Sequence, residues 1–117
     1  LVLPAAALLL VSVSGVAIGQ KKPKKPAPAA SNAALVKAGK AVYDKIVCSA
    51  CHAINGKGGK GGPDLSKIGA GHDAAFLTRQ IRDPKKNNPA STMPAYDKDA
   101  ISDSDLKALV AYLRSLK

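Results

Sequence analysis

The sequence predicts an all-α domain of three main helices over residues 32–117, preceded by a leader and a linker. Three observations carry this. Apolar residues recur at helical spacing in three separate stretches, each with a capping residue in front. No stretch shows the alternation of a half-buried strand. The chain has no Trp, one Phe and three Tyr, so large side chains are too few to fill the middle of so small a domain unaided.

Residues 1–19 hold no charge and are rich in Leu, Val and Ala. This is the composition of a secretory signal peptide, and Ala17-Ile18-Gly19 fits its small-residue cleavage pattern. An N-terminal membrane anchor is the alternative. It sits at the short end of the ~17–25 residues that span a bilayer, with Pro4 and Gly15 against it. Either reading places the remainder outside the cytoplasm, and the expected location is periplasmic. Residues 20–31 contain Lys-Lys-Pro-Lys-Lys-Pro-Ala-Pro-Ala-Ala, a basic, Pro/Ala-rich linker expected to be disordered.

The first helix is expected from an Asn32 cap, with Leu35, Gly39, Val42 and Ile46 on one face. A glycine inside a helix costs about 1 kcal/mol relative to Ala, which makes sense where another helix crosses closely. A middle helix from Asp73 buries Phe76, Leu77 and Ile81 and stops before Pro84. Ser102 to Asp105 forms an S-x-x-D box opening the last helix, whose stripe is Leu106, Leu109, Val110, Leu113 and Leu116. Long loops join these at 53–71 and 83–101.

Between the first two helices stands Cys48-Ser49-Ala50-Cys51-His52, the C-x-x-C-H attachment pattern of c-type haem. Two thiols one turn apart can each bond one vinyl group, and the adjacent imidazole can reach the iron on the same face. The expected cofactor is therefore one covalently attached haem c, with the helices wrapped around it. Three other readings fit less well. A structural zinc site needs four ligands, and only His72 could join the cluster. A thioredoxin-like pair wants a βαβ context. A disulfide between Cys48 and Cys51 leaves His52 and the missing core unexplained.

For the sixth iron ligand the chain offers Met93, its single methionine. A lone Met is ordinarily core filler. Its place in the polar stretch Ser91-Thr92-Met93-Pro94 favours ligation instead, since His/Met is the cytochrome c pattern. His72 is the competing imidazole, and a solvated or capping role is its ordinary outcome. Asn55 to Gly62 contains a G-x-G-x-x-G run, but no strand precedes it and no helix opens where a dinucleotide site requires one. A flexible basic loop beside the haem edge is the expectation there.

Together these residues resemble the class I cytochrome c family, particularly its small bacterial monohaem members. The resemblance spans roughly Asn32 to Lys117. It rests on Gly39 and Tyr43, Cys48 to His52, Gly62-Pro63-Asp64-Leu65, Met93-Pro94, and Leu109 to Leu113 with Tyr112. It implies that the first and last helices cross at Gly39 against Tyr112. It also implies that Pro63 offers its carbonyl to the other nitrogen of His52, fixing that ring's tautomer and orientation. The absence of Trp departs from the family's habit of placing one near a haem propionate, and Tyr96, Arg79 and Arg82 are candidate substitutes.

With iron ligands His52 and Met93, no coordination position stays open for substrate, so an electron carrier rather than an enzyme is expected. Should Met93 not ligate, a gas-binding sensor is the rival, and an electron-entry subunit of a larger dehydrogenase is another. A thiol oxidoreductase without haem is a third. The chain carries 18 Lys and Arg against 8 Asp and no Glu. Lys57, Lys60, Lys67, Lys85 and Lys86 lie in the loops expected to border the haem. The implied partners are electron donor and acceptor proteins with acidic docking faces. Nucleic acid is not expected, because no aromatic stacking residues are interleaved with the lysines. A membrane tether through residues 1–19 is the remaining contact.

Overall fold

The Ser31 hydroxyl accepts from the Ala34 N–H at 3.2 Å and caps α1, Asn32–Ile46. The computed structural model of the protein describes residues 31–117, together with Gly15 and Gly19. Those two glycines apart, the leader lies outside the described residues, as does the linker apart from Ser31. The cap is thus one residue earlier than expected: Ser31 belongs to the helix rather than the linker, and Asn32 takes the first helical position.

α1 ends at Val47, which adopts a left-handed conformation (φ 60°, ψ 42°) and returns its N–H to the carbonyls of Tyr43 and Asp44. That conformation satisfies orphan carbonyls but is an outlier for a β-branched residue. Val47 is also 57 % exposed, so burial does not compensate it. The kink turns the chain out of α1 into a 3-10 turn at Cys48–Ala50.

A short hairpin follows, where no strand was expected. β1 (Ala53–Ile54) pairs antiparallel with β2 (Lys57–Gly58). Asn55 and Gly56 bridge them, both at positive φ, as a tight two-residue hairpin turn requires. Two-residue strands are too short to show alternation, yet the Asn-Gly pair is itself a hairpin signal. α2 (Ile68–Gly71) then leads to α3 (Ala74–Arg82), capped by the Asp73 carboxylate on the Phe76 N–H at 2.8 Å. Leu77 and Ile81 are buried, whereas Phe76 is only half-buried, because its ring stacks on His72 with centroids 3.9 Å apart. Pro84 does not merely end α3. It is the buried first residue of another turn, α4 (Pro84–Asn87), where its missing N–H costs nothing.

α5 (Asp103–Ser115) is capped by Ser102, whose hydroxyl accepts from the Asp105 N–H at 3.1 Å. Its stripe is buried from Leu106 to Leu113, while Leu116 falls just past the helix end and is half-buried. This face meets α1, as the resemblance implies. A Cβ built on Gly39 would penetrate the Ala108 carbonyl oxygen and come 2.7 Å from the Tyr112 Cβ. Tyr43 and Tyr112 then meet edge to face with centroids 5.6 Å apart, a favoured aromatic geometry. Val42, Leu77, Ile81, Ile101, Leu109 and their neighbours complete one buried cluster.

The segment after α4 is held to α3. The Tyr96 N–H donates to the Ile81 carbonyl at 3.0 Å. Arg82 donates to the carbonyls of Tyr96, Asp97 and Ile101 at 3.1, 2.7 and 2.7 Å, and pairs with Asp103 at 2.9 Å. Lys98, then Arg82, hold the Asp103 carboxyl below the usual carboxylate range.

The crossing reverses one expectation from helix propensity. Gly39→Ala, which propensity alone would favour by about 1 kcal/mol, is expected to destabilise, because the clash is with backbone. Gly39→Val is expected to cost roughly 1–3 kcal/mol or more. Denaturant unfolding of the two variants checks this, and a stabilised Ala variant would contradict the close crossing.

Candidate functional site

The 3-10 turn fixes the positions of the two thiols. The N–H groups of Cys51 and His52 both donate to the Cys48 carbonyl, at 3.2 and 3.1 Å. Cys48 and Cys51 are both free. Cys48 is half-buried against the core, and burial pushes its thiol pKa up, while Cys51 is exposed.

The chain after His52 folds back over it. The Gly59 N–H donates to the Ser49 carbonyl at 2.8 Å, and the Gly62 N–H to the Cys51 carbonyl at 2.7 Å. Next in line, the Pro63 carbonyl oxygen lies 2.8 Å from His52 Nδ1. A carbonyl can only accept, so Nδ1 carries the proton and Nε2 keeps a free lone pair, the tautomer a metal ligand needs. Gly62 makes this possible: a Cβ there would come 2.6 Å from His52 Cε1. Asp64 accepts from the Ser66 N–H at 2.7 Å and is held below its ordinary pKa by its hydrogen bonds to Ser66. Ser66 in turn accepts from the Asn55 N–H at 2.7 Å. The glycine run is therefore a hairpin and return strap bonded onto the cysteine turn, rather than the flexible loop expected.

Met93 is half-buried and packs on the same core cluster as Cys48. Its sulfur lies 3.6 Å from Gln80 Nε2 on α3. Tyr96, three residues on, has its phenol pKa raised first by burial and then by repulsion from thiolates at Cys48 and Cys51. Met93, Tyr96 and Cys48 all pack against one buried cluster. Tyr43 stands on the same side of the core. Burial, then Cys48, push its phenol up to about 12, and its buried hydroxyl has no hydrogen-bond partner among the described residues.

Two free thiols one turn apart, an imidazole held as the Nδ1–H tautomer and a half-buried thioether on the same core are a set of side chains that fits haem c. The described residues hold no group of three or more His, Cys, Asp or Glu placed to share a metal ion, which leaves the four-ligand zinc reading without ligands. A family model described as Cytochrome c matches residues 36–117. The chain belongs to the cytochrome c family. Membership carries haem-based electron transfer and redox protein partners, and it agrees with the all-α fold. A relative in Alkalihalophilus pseudofirmus, described as cytochrome c oxidase subunit 2, is 37 % identical over 91 residues, covering 71 % of this chain and 26 % of that protein. The chain thus matches about a quarter of the relative's length. No solved structure matches.

Two candidate residues are otherwise engaged in this cytochrome. Arg82 spends its guanidinium on three carbonyls and Asp103, so it is a brace for the 96–101 segment rather than a substitute for the absent Trp. Arg79 Nη1 donates to Asn87 Oδ1 at 3.2 Å. His72 is stacked on Phe76. Sequence reasoning missed Gln80 and Asn87. Polar residues on exposed-looking positions give no signal of the side chain they will meet.

Gly62→Ala is expected to displace the His52 ring and lower haem content. Haem absorbance per mole of purified protein reads this, and full occupancy in the variant would mean the strap yields without disturbing the imidazole.

Proposed function

We propose that this chain is a single-electron carrier with one haem c, attached through Cys48 and Cys51 and ligated by His52 and Met93, outside the cytoplasm. The observation that carries the reading is the Cys48–His52 turn with His52 Nδ1 tied to Pro63, and the sequence's one methionine, packed on the same core as Cys48, supports it. When bound, the haem supplies a one-electron couple between ferric and ferrous iron. The chain's residues do the rest. His52 is oriented by Pro63, Gly62 admits its ring, and the core side chains around Cys48 and Met93 exclude water and so tune the potential. With His52 and Met93 both given to iron, the chain would leave no place there for substrate, which supports a carrier rather than an enzyme.

A second reading is favoured by the oxidase-subunit relative: the domain serves as the electron-entry module of a larger membrane redox complex. Co-purification from native membranes separates a complex-bound domain from a free carrier.

Attachment is tested by mass. Denatured protein is expected to keep the mass of one haem. Cys48→Ala or Cys51→Ala leaves one bond, and the double variant loses the haem to acid-acetone extraction. Release from the unmutated protein would overturn covalent attachment. Met93→Ala is expected to abolish the sulfur-to-iron charge-transfer band, lower the potential and admit cyanide or carbon monoxide. An unchanged spectrum would point to another ligand.

Docking is tested by salt. Lys57, Lys60, Lys67 and Lys85 are exposed and, among the described residues, belong to no ion pair, while Lys86 pairs with Asp83 at 3.6 Å. Lys57 and Lys60 lie in the strap beside exposed Cys51. Exposed charges are screened over about 8 Å at physiological salt. The bimolecular electron-transfer rate with an acidic partner is therefore expected to fall steeply with ionic strength, and deletion of residues 21–25 to change it little. A salt-independent rate would remove the case for electrostatic docking.

A further inference from the structure

A groove of about 640 Å³ runs between the start of α1, α3 and α5. None of its lining residues belongs to the cysteine turn, the strap or the methionine loop. Asn32 and Leu35 line it from the first turn of α1, whereas the cysteine turn leaves the other end of that helix, about 20 Å along its axis. Where α3 and α5 come together the lining is small and mostly apolar: Ala74, Thr78 and Ala111, with the buried Leu106 and Val110.

The polar part of the lining is cationic. Lys107, Arg114 and Lys117 are exposed and have no ion-pair partner among the described residues. The one acid in the lining, Asp103, is already paired with Arg82 at 2.9 Å and with Lys98 at 3.1 Å. Lys107, Ala111 and Arg114 stand at i, i+4 and i+7 on α5 and so share a face. The two charges are thus two turns, about 10 Å, apart with a small side chain between them.

Charge and shape together choose the occupant. The chain's own linker, with Lys21, Lys22, Lys24 and Lys25, would meet these cations with like charge. A second copy packed about a twofold axis would set the same three cations against themselves. A bilayer surface is flat and leaves a groove unfilled. An amphipathic helix with carboxylates two turns apart beside a short apolar stripe fills the groove and answers its charge.

We propose that this groove docks an acidic amphipathic helix of a partner protein, holding the domain in place while the cysteine turn and strap stay free to exchange electrons. This rests on the reading of the domain as a module of a larger membrane redox complex. It gives that complex a lasting contact separate from Lys57 and Lys60, which serve transient partners.

The test uses the full haem-loaded chain in its native membranes, with a photoreactive benzophenone amino acid at position 111. Position 78 replaces it should that variant fail to load haem. The expected result is one cross-linked protein whose attached peptide carries acidic residues two turns apart beside an apolar stripe. That peptide, synthesised, is expected to bind the wild-type domain. Lys107→Glu with Arg114→Glu should weaken it roughly tenfold at low salt and by less as salt rises. Lys57→Glu with Lys60→Glu should leave its affinity unchanged. Cross-linking to lipid, to residues 20–30, to a second copy or to a peptide without that acidic pattern would overturn the proposal, as would charge reversal without effect. A chain that co-purifies with a membrane complex but gives no groove product would overturn the groove's role and leave the module reading standing. A chain that co-purifies with nothing would overturn both.

Discussion

The close approach of α1 and α5 at Gly39 is the constraint on which the rest of this structure depends. The buried cluster is small and contains few large side chains. Helices held farther apart by even one methyl group would lose the interlocking that lets such a core exclude water. Tyr43 and Tyr112 meet edge to face at the crossing because the backbones approach there, and α3 closes the third side with Leu77 and Ile81. The cysteine turn leaves directly from the end of α1, so its placement against the core is inherited from that same crossing.

From this frame the site is assembled by backbone hydrogen bonds more than by side chains. The left-handed Val47 aims the thiols, and the strap from Gly59 to Pro63 clamps the imidazole. The methionine loop is braced at Tyr96 and Ile101 by Arg82 and contacted at its sulfur by Gln80. The exposed charge is positive where the strap borders Cys51. The unpaired lysines Lys57, Lys60 and Lys67 and the hydrogen bonds that orient His52 thus share one short stretch of chain, residues 48–67.

Much of this was legible beforehand, for reasons that differ by residue. The three helices announce themselves through apolar spacing and through Asp73 and Ser102, because a cap is a local interaction between residues three apart. The C-x-x-C-H pattern is local in the same sense. Family resemblance supplied the Gly39 crossing, which no local rule could locate, since its partner lies near the other end of the chain. Three features escaped. Ser31 rather than Asn32 caps α1, because adjacent cap-forming residues compete and only the geometry of the first turn decides. The hairpin was hidden by its brevity, with glycines read as freedom where they serve close contact. Arg82 and Gln80 were opaque because each acts on groups at least 13 residues away.

The crossing also imposes an order on assembly. Gly39 precedes the cysteine turn in sequence, whereas its partner Ala108 follows it. Until α5 docks, α1 lacks the face against which it buries, and the segment holding Cys48 and Cys51 is the more accessible. With α5 in place, Cys48 is half-buried with its thiol pKa raised, and a protonated thiol is a poor nucleophile. The sulfur of Cys48 is thus most open to reaction before the two helices meet and least open afterwards.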